Sequence, residues 1–245
     1  MDSASSAGAP AQPWPILDLH ERRVVGVLIE KAKTTPDAYP LSLNALVTGC
    51  NQKSNRDPVL NLSDAEVEQA LASSQRKGLV VRLTGSGRVE RWRHVAYEAW
   101  KVDKVELAIL AELLLRGAQT EGELRGRASR MEAIDDLDKL REVLRLLAER
   151  KLVVYLTPEG RRGTVLTHGF VSPEDLERQR ATQASSREEP RSEAPSLHAA
   201  SAGQAAEWQK AQEEITALKA EVSELQHRMT ELAGQVQELK ANLGG

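Results

Sequence analysis

The sequence predicts an α+β fold, mainly α-helical with small β-hairpins, and three observations support it. First, residues 16–172 contain a weak internal repeat, anchored by a Leu-Val-Val run at 79–81 and another at 152–154. Second, each copy has the pattern of three helices followed by a hairpin, the order of a winged helix-turn-helix. Third, apolar residues recur at three- and four-residue steps from Trp208 to Leu243. We therefore predict tandem winged helix-turn-helix domains followed by a C-terminal coiled-coil helix.

The predicted domains follow this repeat along the chain. Residues 1–15 are rich in Ser, Ala, Pro and Gly and predict a disordered leader. Residues 16–100 form the first winged-helix domain, and residues 101–172 form the second. Residues 173–206 predict a linker, helical near its start, and residues 207–243 predict the coiled coil.

The helices of each copy are predicted by apolar spacing and by capping residues. The first helix carries apolar pairs at helical spacing, and the pairs in the two copies are Val24, Val25, Leu28 and Ile29, and Ile109, Leu110, Leu113 and Leu114. The second helix is short, from Ser42 to about Gly49 and from Glu121 to about Ser129. The third helix begins at the capping box of Ser63 and Glu66 in copy one and at Asp135 or Asp136 in copy two.

A hairpin closes each copy, and its turn is marked by glycine and proline. Gly78 ends the third helix of copy one, and alternating strands then flank a Gly-rich turn at 84–87. In copy two the strands flank Pro158 and Gly160. The alternation places Arg91 and Arg93 on one face of the strand and Trp92 on the other.

Composition excludes several classes of protein. The chain has 245 residues, a formal net charge of −3, 3% aromatic residues and one cysteine. A single cysteine rules out an intramolecular disulfide framework and fits a reducing compartment. No apolar run approaches the roughly 18 residues of a membrane span, and the N-terminus lacks the features of a signal peptide. We therefore expect a cytoplasmic protein with no membrane association.

We predict no catalytic site, no metal and no cofactor. Cys50 is the candidate nucleophile, but neither His20 nor His94 can be placed beside it from the sequence, and a buried thiol explains it as well. The five histidines show no paired ligand spacing. Phosphate-binding glycine motifs are absent from the sequence.

The C-terminal apolar positions predict a homodimer. Leucine holds most d positions and β-branched residues hold several a positions, which favours a parallel two-stranded coil over a single helix packed on the body. The predicted dimerisation residues are Ile215, Leu218, Val222, Leu225, Met229, Leu232, Val236 and Leu239.

Two long stretches carry a family resemblance. The first is "LIEKAKTTPDAYPLSLNALVTGCNQKSNRDPVLNLSDAEV" at 28–67, and the second is "LLLRGAQTEGELRGRASRM" at 113–131. The sequence resembles the YceH-type family of bacterial proteins over about residues 17–172, and the C-terminal coil is similar to that family's tail. The resemblance implies two winged helices and names no activity. Glu121 stands where the family usually has Pro, and we expect it to loosen the start of the second helix of copy two.

Basic and amide residues in the loops and hairpins predict contacts with double-stranded DNA. Asn and Gln can read adenine, while Lys and Arg can reach phosphate or guanine. The candidates are Asn51, Gln52, Lys53, Asn55, Arg56, Arg88, Arg91, Arg93, Arg125, Arg127, Arg130, Arg161 and Arg162. The 51–56 tract has a second interpretation, turn and capping chemistry in which Arg56 pairs with Asp57 or Asp64.

A protein-interaction adaptor is the alternative function. The third helices begin with carboxylates, which stabilise a helix N-terminus but repel phosphate. The plan also resembles bacterial segregation and condensation protein B, which implies partner binding by winged helices. A DNA-binding protein should show a basic face that joins the first hairpin to Lys53 and Arg56. An adaptor should instead show an exposed apolar stripe.

Overall fold

The structure, a computed structural model, describes residues 14–84, 90–161 and 163–188, the last four of these as backbone only. The fold is mixed α+β, with helices dominating and two small antiparallel sheets. The predicted leader up to residue 13 and the predicted coiled coil at 207–243 lie outside the described residues. Within those described ranges, no helix is long and apolar enough to cross a lipid bilayer.

The first repeat contains three helices and a three-stranded sheet. Its elements are α1 (Leu19–Thr34), a 3-10 turn (Pro36–Ala38), β1 (Leu41–Ser42), α2 (Leu43–Cys50), α3 (Asp64–Arg76), β2 (Val80–Leu83) and β3 (Arg91–His94). The strands lie in the order β1-β3-β2, all antiparallel, with β3 in the centre.

The second repeat follows the same order after a short connecting helix. Its elements are α4 (Ala96–Trp100) as the connection, α5 (Lys104–Arg116), β4 (Gln119–Thr120), α6 (Glu121–Ala128), α7 (Leu137–Glu149), β5 (Val153–Tyr155) and β6 (Val165–His168). The strand order β4-β6-β5 repeats that of the first sheet. A final helix, α8 (Pro173–Glu188), occupies the beginning of the segment that the sequence predicts as a linker.

The helix starts agree with the capping residues in the sequence. Ser63 accepts a hydrogen bond from the Glu66 amide, and the Glu66 side chain bonds back to Ser63, which completes the predicted capping box of α3. Asp136, not Asp135, caps α7. Gly78 follows α3 with a φ of +70°, a left-handed conformation that glycine adopts without strain. These signals are local, so the sequence was sufficient for them.

Glu121 does not loosen the start of α6, contrary to the expectation from the sequence. The helix begins at Glu121, and Thr120 and Glu123 form a complete capping box around its first turn. The Glu121 amide donates to the Thr164 carbonyl at 3.2 Å, a bond that proline cannot make. The Glu121 carboxylate also lies 2.9 Å from Nε of Arg141. Glutamate therefore gives this helix start two contacts that proline lacks.

The two repeats share one hydrophobic core, built around the contact between α1 and α5. Both helices are buried on nearly every face, and one cluster of apolar side chains runs through both repeats. A Cβ placed on Gly26 would lie 2.9 Å from Leu115, so this glycine permits the helices to approach closely. Each fully buried leucine or valine contributes about 1.5–3 kcal/mol. The α1–α5 contact is therefore central to the stability of both repeats.

Each repeat ties its third helix to its first by an equivalent ion pair. Lys77, which ends α3, lies 2.5 Å from the Glu21 carboxylate in the capping box of α1. Arg150, which ends α7, lies 3.2 Å from the Glu106 carboxylate in the capping box of α5. The two repeats therefore share an equivalent ion pair as well as the same order of helices and strands.

Candidate nucleic-acid interface

Asn51, the first residue of the 51–56 tract, connects the end of α2 to the start of α3. Its side-chain amide donates to the Leu62 carbonyl at 2.8 Å and its oxygen accepts from the Leu62 amide at 2.7 Å. This pair of bonds fixes both ends of the α2–α3 loop, which we define as residues 51–63. Both functional atoms of Asn51 are occupied, so the side chain serves the architecture of the loop.

Arg56 is buried and fully engaged with protein groups. Its side chain is 0% exposed, and Nη2 lies 2.5 Å from Oε2 of Glu30. Nε donates to the Gly49 carbonyl at 3.1 Å, and Nη2 also donates to the side-chain oxygen of Gln52 at 2.9 Å. The acidic partner is therefore Glu30 of α1, rather than Asp57 or Asp64. We leave Arg56 out of the proposed contact surface because its side chain is buried and bonded within the protein. We leave Gln52 out because its side chain is half-buried and bonded to Arg56.

Lys53 is the exposed cation of this tract. The α2–α3 loop places it between Gln52 and Asn55, and within the described ranges its ammonium makes neither a hydrogen bond nor an ion pair. Asn55 is also exposed, with a φ of 59°, and its side-chain oxygen accepts from Nη2 of Arg116 at 2.6 Å. Lys53 alone from this tract remains available for phosphate.

The three arginines at 125–130 also have internal partners. Arg125 donates to the carbonyls of Ile134 and Asp135 at 3.1 and 2.8 Å, and so joins α6 to the start of α7. Arg127 donates to the side chains of Gln119 and Glu123 at 2.8 and 3.1 Å. Arg130 contacts two buried carboxylates, those of Glu30 and Glu112. The structure thus gives Arg125 and Arg127 a role in holding the second repeat together, and Arg130 joins that repeat to α1 of the first.

The first hairpin presents two arginines on one face of β3. Arg91 is exposed, Arg93 is half-buried, and Trp92 between them is 9% exposed on the opposite face, as the alternation predicts. Arg91 donates to the Pro40 carbonyl at 2.8 Å. No ion pair of Arg91 or Arg93 exists among the described residues. Two positive charges therefore share the outer face of β3, where a phosphate can approach them.

The other arginines of the two hairpins differ in their exposure and in their partners. Arg82 on β2 lies 3.0 Å from the Glu90 carboxylate, and both side chains are about half exposed. Arg161 is exposed at the turn of the second hairpin. Arg88 and Arg162, the remaining hairpin candidates, lie outside the described residues.

The exposed face of α3 is acidic at its N-terminal end. Asp64, Glu66 and Glu68 are all exposed. Hydrogen bonds from the Ser63 backbone and hydroxyl hold the pKa of Glu66 below its ordinary value, so this carboxylate stays charged. Negative charge at this end disfavours entry of the helix into a DNA groove, because it faces the phosphates.

The surface of α7 is mixed in charge and partly apolar. Lys139 pairs with Glu142, and Arg141 contacts both Glu121 and Asp138. Leu137 and Leu146 are 37% and 48% exposed. Neither third helix therefore offers the basic face that a groove-reading helix usually has.

Cys50 lies in an environment that suits a buried, unreactive thiol. It is 0% exposed, and burial raises the pKa of the thiol to about 12. The thiolate is the reactive form, so a high pKa suppresses nucleophilic attack. No hydrogen bond joins this thiol to a base among the described residues.

Two histidines occupy equivalent, buried places at the ends of β3 and β6. His94 Nδ1 accepts from the Ala96 amide, and His168 Nδ1 accepts from the Phe170 amide, each at 3.3 Å. Burial lowers the pKa of His94 to about 4 and that of His168 to about 3. Both rings are therefore neutral acceptors at pH 7. Across the described part of the chain, no three His, Cys, Asp or Glu side chains are grouped to hold a metal ion.

Fold and surface together define a repeat protein, in which two small α+β units share a core and the first one presents a basic hairpin. The chain belongs to the family described as "Protein of unknown function, DUF480", whose model matches residues 17–162. This result confirms the family resemblance of the two signature stretches.

Similar proteins occur in several bacteria. A UPF0502 protein of Rhodopirellula baltica is 50% identical over 165 residues, which are 67% of this chain and 69% of that protein. A UPF0502 protein of Hahella chejuensis is 51% identical over 164 residues, 64% of this chain and 75% of its own length. A third, from Geobacter sulfurreducens, is 48% identical over 165 residues, 66% of this chain and 75% of that protein. These names give the family and state no activity.

Proposed function

We propose that this chain is a non-enzymatic DNA-binding protein that contacts the phosphates of a duplex mainly through the hairpin of its first repeat. The observation that carries the proposal is the pair Arg91 and Arg93 on the outer face of β3, with no carboxylate partner among the described residues. By contrast, Arg56, Arg130 and many other arginines are paired with carboxylates. Guanidinium groups that have no carboxylate partner in the described part of the chain suit phosphate, which accepts two parallel hydrogen bonds from one arginine.

The order of elements supports a tandem winged-helix interpretation. Each repeat has a helix, a short strand, two further helices and a two-stranded hairpin, with the short strand paired to the second hairpin strand. In such domains the hairpin is the wing, and wings reach the DNA backbone beside the helix. Fold analogy alone does not establish function, so the charge on the hairpin is the stronger argument.

Contact through a wing implies weak sequence selectivity. Phosphate contacts position a protein on DNA, whereas contacts with base edges specify the sequence. The acidic start of α3 keeps that helix from being the main reading element. We therefore propose that Lys53, Arg91 and Arg93 supply affinity and that base readout contributes little.

Reversing the two hairpin charges is expected to weaken duplex binding strongly. In Arg91→Glu/Arg93→Glu we expect Kd for a random duplex to rise by about tenfold or more, because two phosphate contacts become two repulsions. The slope of log Kd against log salt should fall by about 2. The measurement is fluorescence anisotropy of a labelled duplex at about 50 and 200 mM salt.

The matched control changes the same charge elsewhere. Arg178→Glu/Arg180→Glu reverses two exposed arginines on α8, and it should leave Kd within about threefold of the wild type at the higher salt, where distant charges are screened. If both double variants lost the same amount of affinity, only the net charge of the protein would determine DNA binding. No binding by the wild type at micromolar concentration in low salt would overturn the DNA proposal.

The adaptor is the second candidate function, and a specific observation favours it. The acidic start of α3 disfavours DNA, and the exposed Leu137 and Leu146 give α7 apolar surface that a partner can cover. If the wild type does not bind DNA, the surface of α7 becomes the leading candidate for binding a protein partner. Leu146→Lys would then be the variant that abolishes capture of a partner.

We propose further that the chain is a homodimer through residues 207–243, which rests on the spacing of the apolar residues in the sequence. Deletion of 207–245 should leave a folded monomer, and Leu225→Asp at a d position should give the same result in the full chain. His227→Asp, at an outward f position, is the matched control and should remain dimeric. Sedimentation velocity measures the outcome, and a truncated chain that still sediments as a dimer would contradict the proposal.

A further inference from the structure

The α2–α3 loop of the first repeat rests on the second repeat. The amide of Asp57 donates to the carbonyl of Leu115 at 3.0 Å, and the side chain of Asn55 accepts from Arg116 at 2.6 Å. Both partners lie at the C-terminal end of α5. The loop therefore bridges the two repeats at a point separate from the apolar α1–α5 contact.

Two buried carboxylates and two arginines lie under this loop, and Arg56 of the loop itself contacts one of the carboxylates. Glu30 of α1 contacts Arg56 at 2.5 Å and Arg130 at 2.6 Å. Glu112 of α5 contacts Arg130 at 3.1 Å and Arg116 at 3.0 Å, the latter as an ion pair without hydrogen-bond geometry. Together with the Asn55 side chain, these residues form a set that we call the inter-repeat network. Its residues are Glu30, Asn55, Arg56, Glu112, Arg116 and Arg130.

The network closes on itself. Starting at Arg56, the contacts run through Glu30, Arg130, Glu112 and Arg116 to the side chain of Asn55. The backbone carbonyl of Asn55 then accepts a hydrogen bond from Nη1 of Arg56 at 2.8 Å. Residues of α1, of the loop, of α5 and of the segment after α6 all take part. Glu30 and Glu112 are 3% and 0% exposed, so the central charges have no water to replace a lost partner.

From residue 53 to residue 59 the loop is held in place by polar contacts, whereas Leu60 packs against the core and Leu62 is buried. Between residues 53 and 59 only Arg56 is buried, and Val59 is 57% exposed. The carbonyl of Pro58 accepts from Nη2 of Arg23 at 2.5 Å, which is again a polar contact. A segment with few buried apolar groups opens locally at low free energy unless specific contacts hold it.

We propose that the inter-repeat network is a conformational latch, which docks residues 52–60 on α5 and releases them as one unit when it is broken. The ends of this segment stay fixed, because the bonds between Asn51 and Leu62 lie within the first repeat. The apolar contact between α1 and α5 stays intact, because the released segment adds only the half-buried Leu60 to the core. Release would expose the guanidinium groups of Arg56 and Arg116 beside Lys53. This inference does not depend on the proposed DNA binding.

Hydrogen exchange of the full chain, followed by mass spectrometry, tests the latch. Asn55→Gly keeps the left-handed backbone at this position and removes the acceptor for Arg116. Arg116→Gln removes the charge on the other side of the same contact. In Asn55→Gly, which loses one charge-assisted bond, we expect exchange of the Asp57 amide, the donor to Leu115, to rise by about tenfold. In Arg116→Gln, which also loses the ion pair with Glu112, we expect it to rise at least as much. Exchange in α3, β2 and β3 should stay at the wild-type rate.

Glu142→Gln is the matched control, since it breaks a pair with Lys139 on the surface of α7. It should leave exchange in residues 52–60 unchanged. Wild-type exchange rates in this segment for Asn55→Gly, the surface variant, would overturn the latch. A rise spread equally over α1, α5 and the loop would overturn it as well, because that pattern means global opening.

Discussion

Replacement of Glu30 by Gln is expected to lower the free energy of unfolding by about 3–5 kcal/mol. The Glu30 side chain is 3% exposed, and its closest partner, Arg56, is 0% exposed. Glutamine has nearly the same shape and can still accept a hydrogen bond, but it carries no charge. The variant therefore leaves a buried guanidinium without a countercharge, which is the costly state of a broken buried pair. Urea unfolding followed by circular dichroism measures the difference.

A surface carboxylate gives the comparison for this prediction. Glu142→Gln removes the same charge from a pair with Lys139 in which both side chains are more than half exposed. Exposed pairs contribute about 0–1 kcal/mol, so this variant should unfold at nearly the wild-type urea concentration. Equal midpoints for Glu30→Gln and Glu142→Gln would show that the buried network adds nothing to stability.

The effect of Glu30→Gln should also depend on pH. Burial by itself raises the pKa of Glu30, but hydrogen bonds and charges from Arg56 and Arg130 outweigh it and hold the pKa below the ordinary value of 4.5. A lowered pKa in the folded state means stability that is present above 4.5 and lost as the pH falls through the folded value. The difference in the free energy of unfolding between the wild type and Glu30→Gln should therefore become smaller below pH 4.5.

The sequence was sufficient for features that depend on neighbours along the chain. The capping box at Ser63 and Glu66 and the alternation around Trp92 both follow from side chains within a few positions of each other. The strands β1 and β4 were missed, because two residues are too few for a period and each strand exists only through pairing with a distant hairpin. The connecting helix α4 was missed for a similar reason, since five residues give no clear periodicity.

The partners of the charged loop residues were beyond reach of the sequence. Arg56 was expected to contact DNA or to pair with Asp57 or Asp64, yet its partner is Glu30 on the buried α1, and Glu30 in turn contacts Arg130 of the other repeat. One signal was available. Glu30 directly follows the run VVGVLI at 24–29 of α1, and a carboxylate at the end of such an apolar run needs a cation if it is buried. The identity of that cation depends on how the repeats pack.

The two signature stretches now have a physical explanation. Residues 28–67 contribute Glu30, Asn55 and Arg56 to the inter-repeat network, and residues 113–131 contribute Arg116 and Arg130. The polar residues of both stretches therefore take part in the contact between the two repeats. A tract rich in Asn, Lys and Arg resembles a nucleic-acid contact in composition, and burial decides which of its members can reach a ligand.

Gly169 is the second position at which a small change is expected to have a large effect. A Cβ at this position would lie 1.8 Å from the carbonyl oxygen of Lys151 and 2.9 Å from its carbonyl carbon. Both are backbone atoms, which no change of rotamer can move. The Gly169 amide also donates to the Leu152 carbonyl at 2.8 Å, so the two segments cannot separate without losing that bond.

We expect Gly169→Ala to destabilise the fold by about 3 kcal/mol or more, the upper end for an overpacked interior site, because the end of β6 must shift. Gly78→Ala is the matched control: its φ is +70° and a Cβ would meet nothing within 4 Å. That variant should lose only about 1–2 kcal/mol, the cost of a left-handed alanine. Urea unfolding of both variants distinguishes a clash from a conformational cost. If Gly169→Ala unfolds no earlier than Gly78→Ala, then β6 and the segment at Lys151 can separate freely, and the tight closure of the second repeat is not needed for its stability.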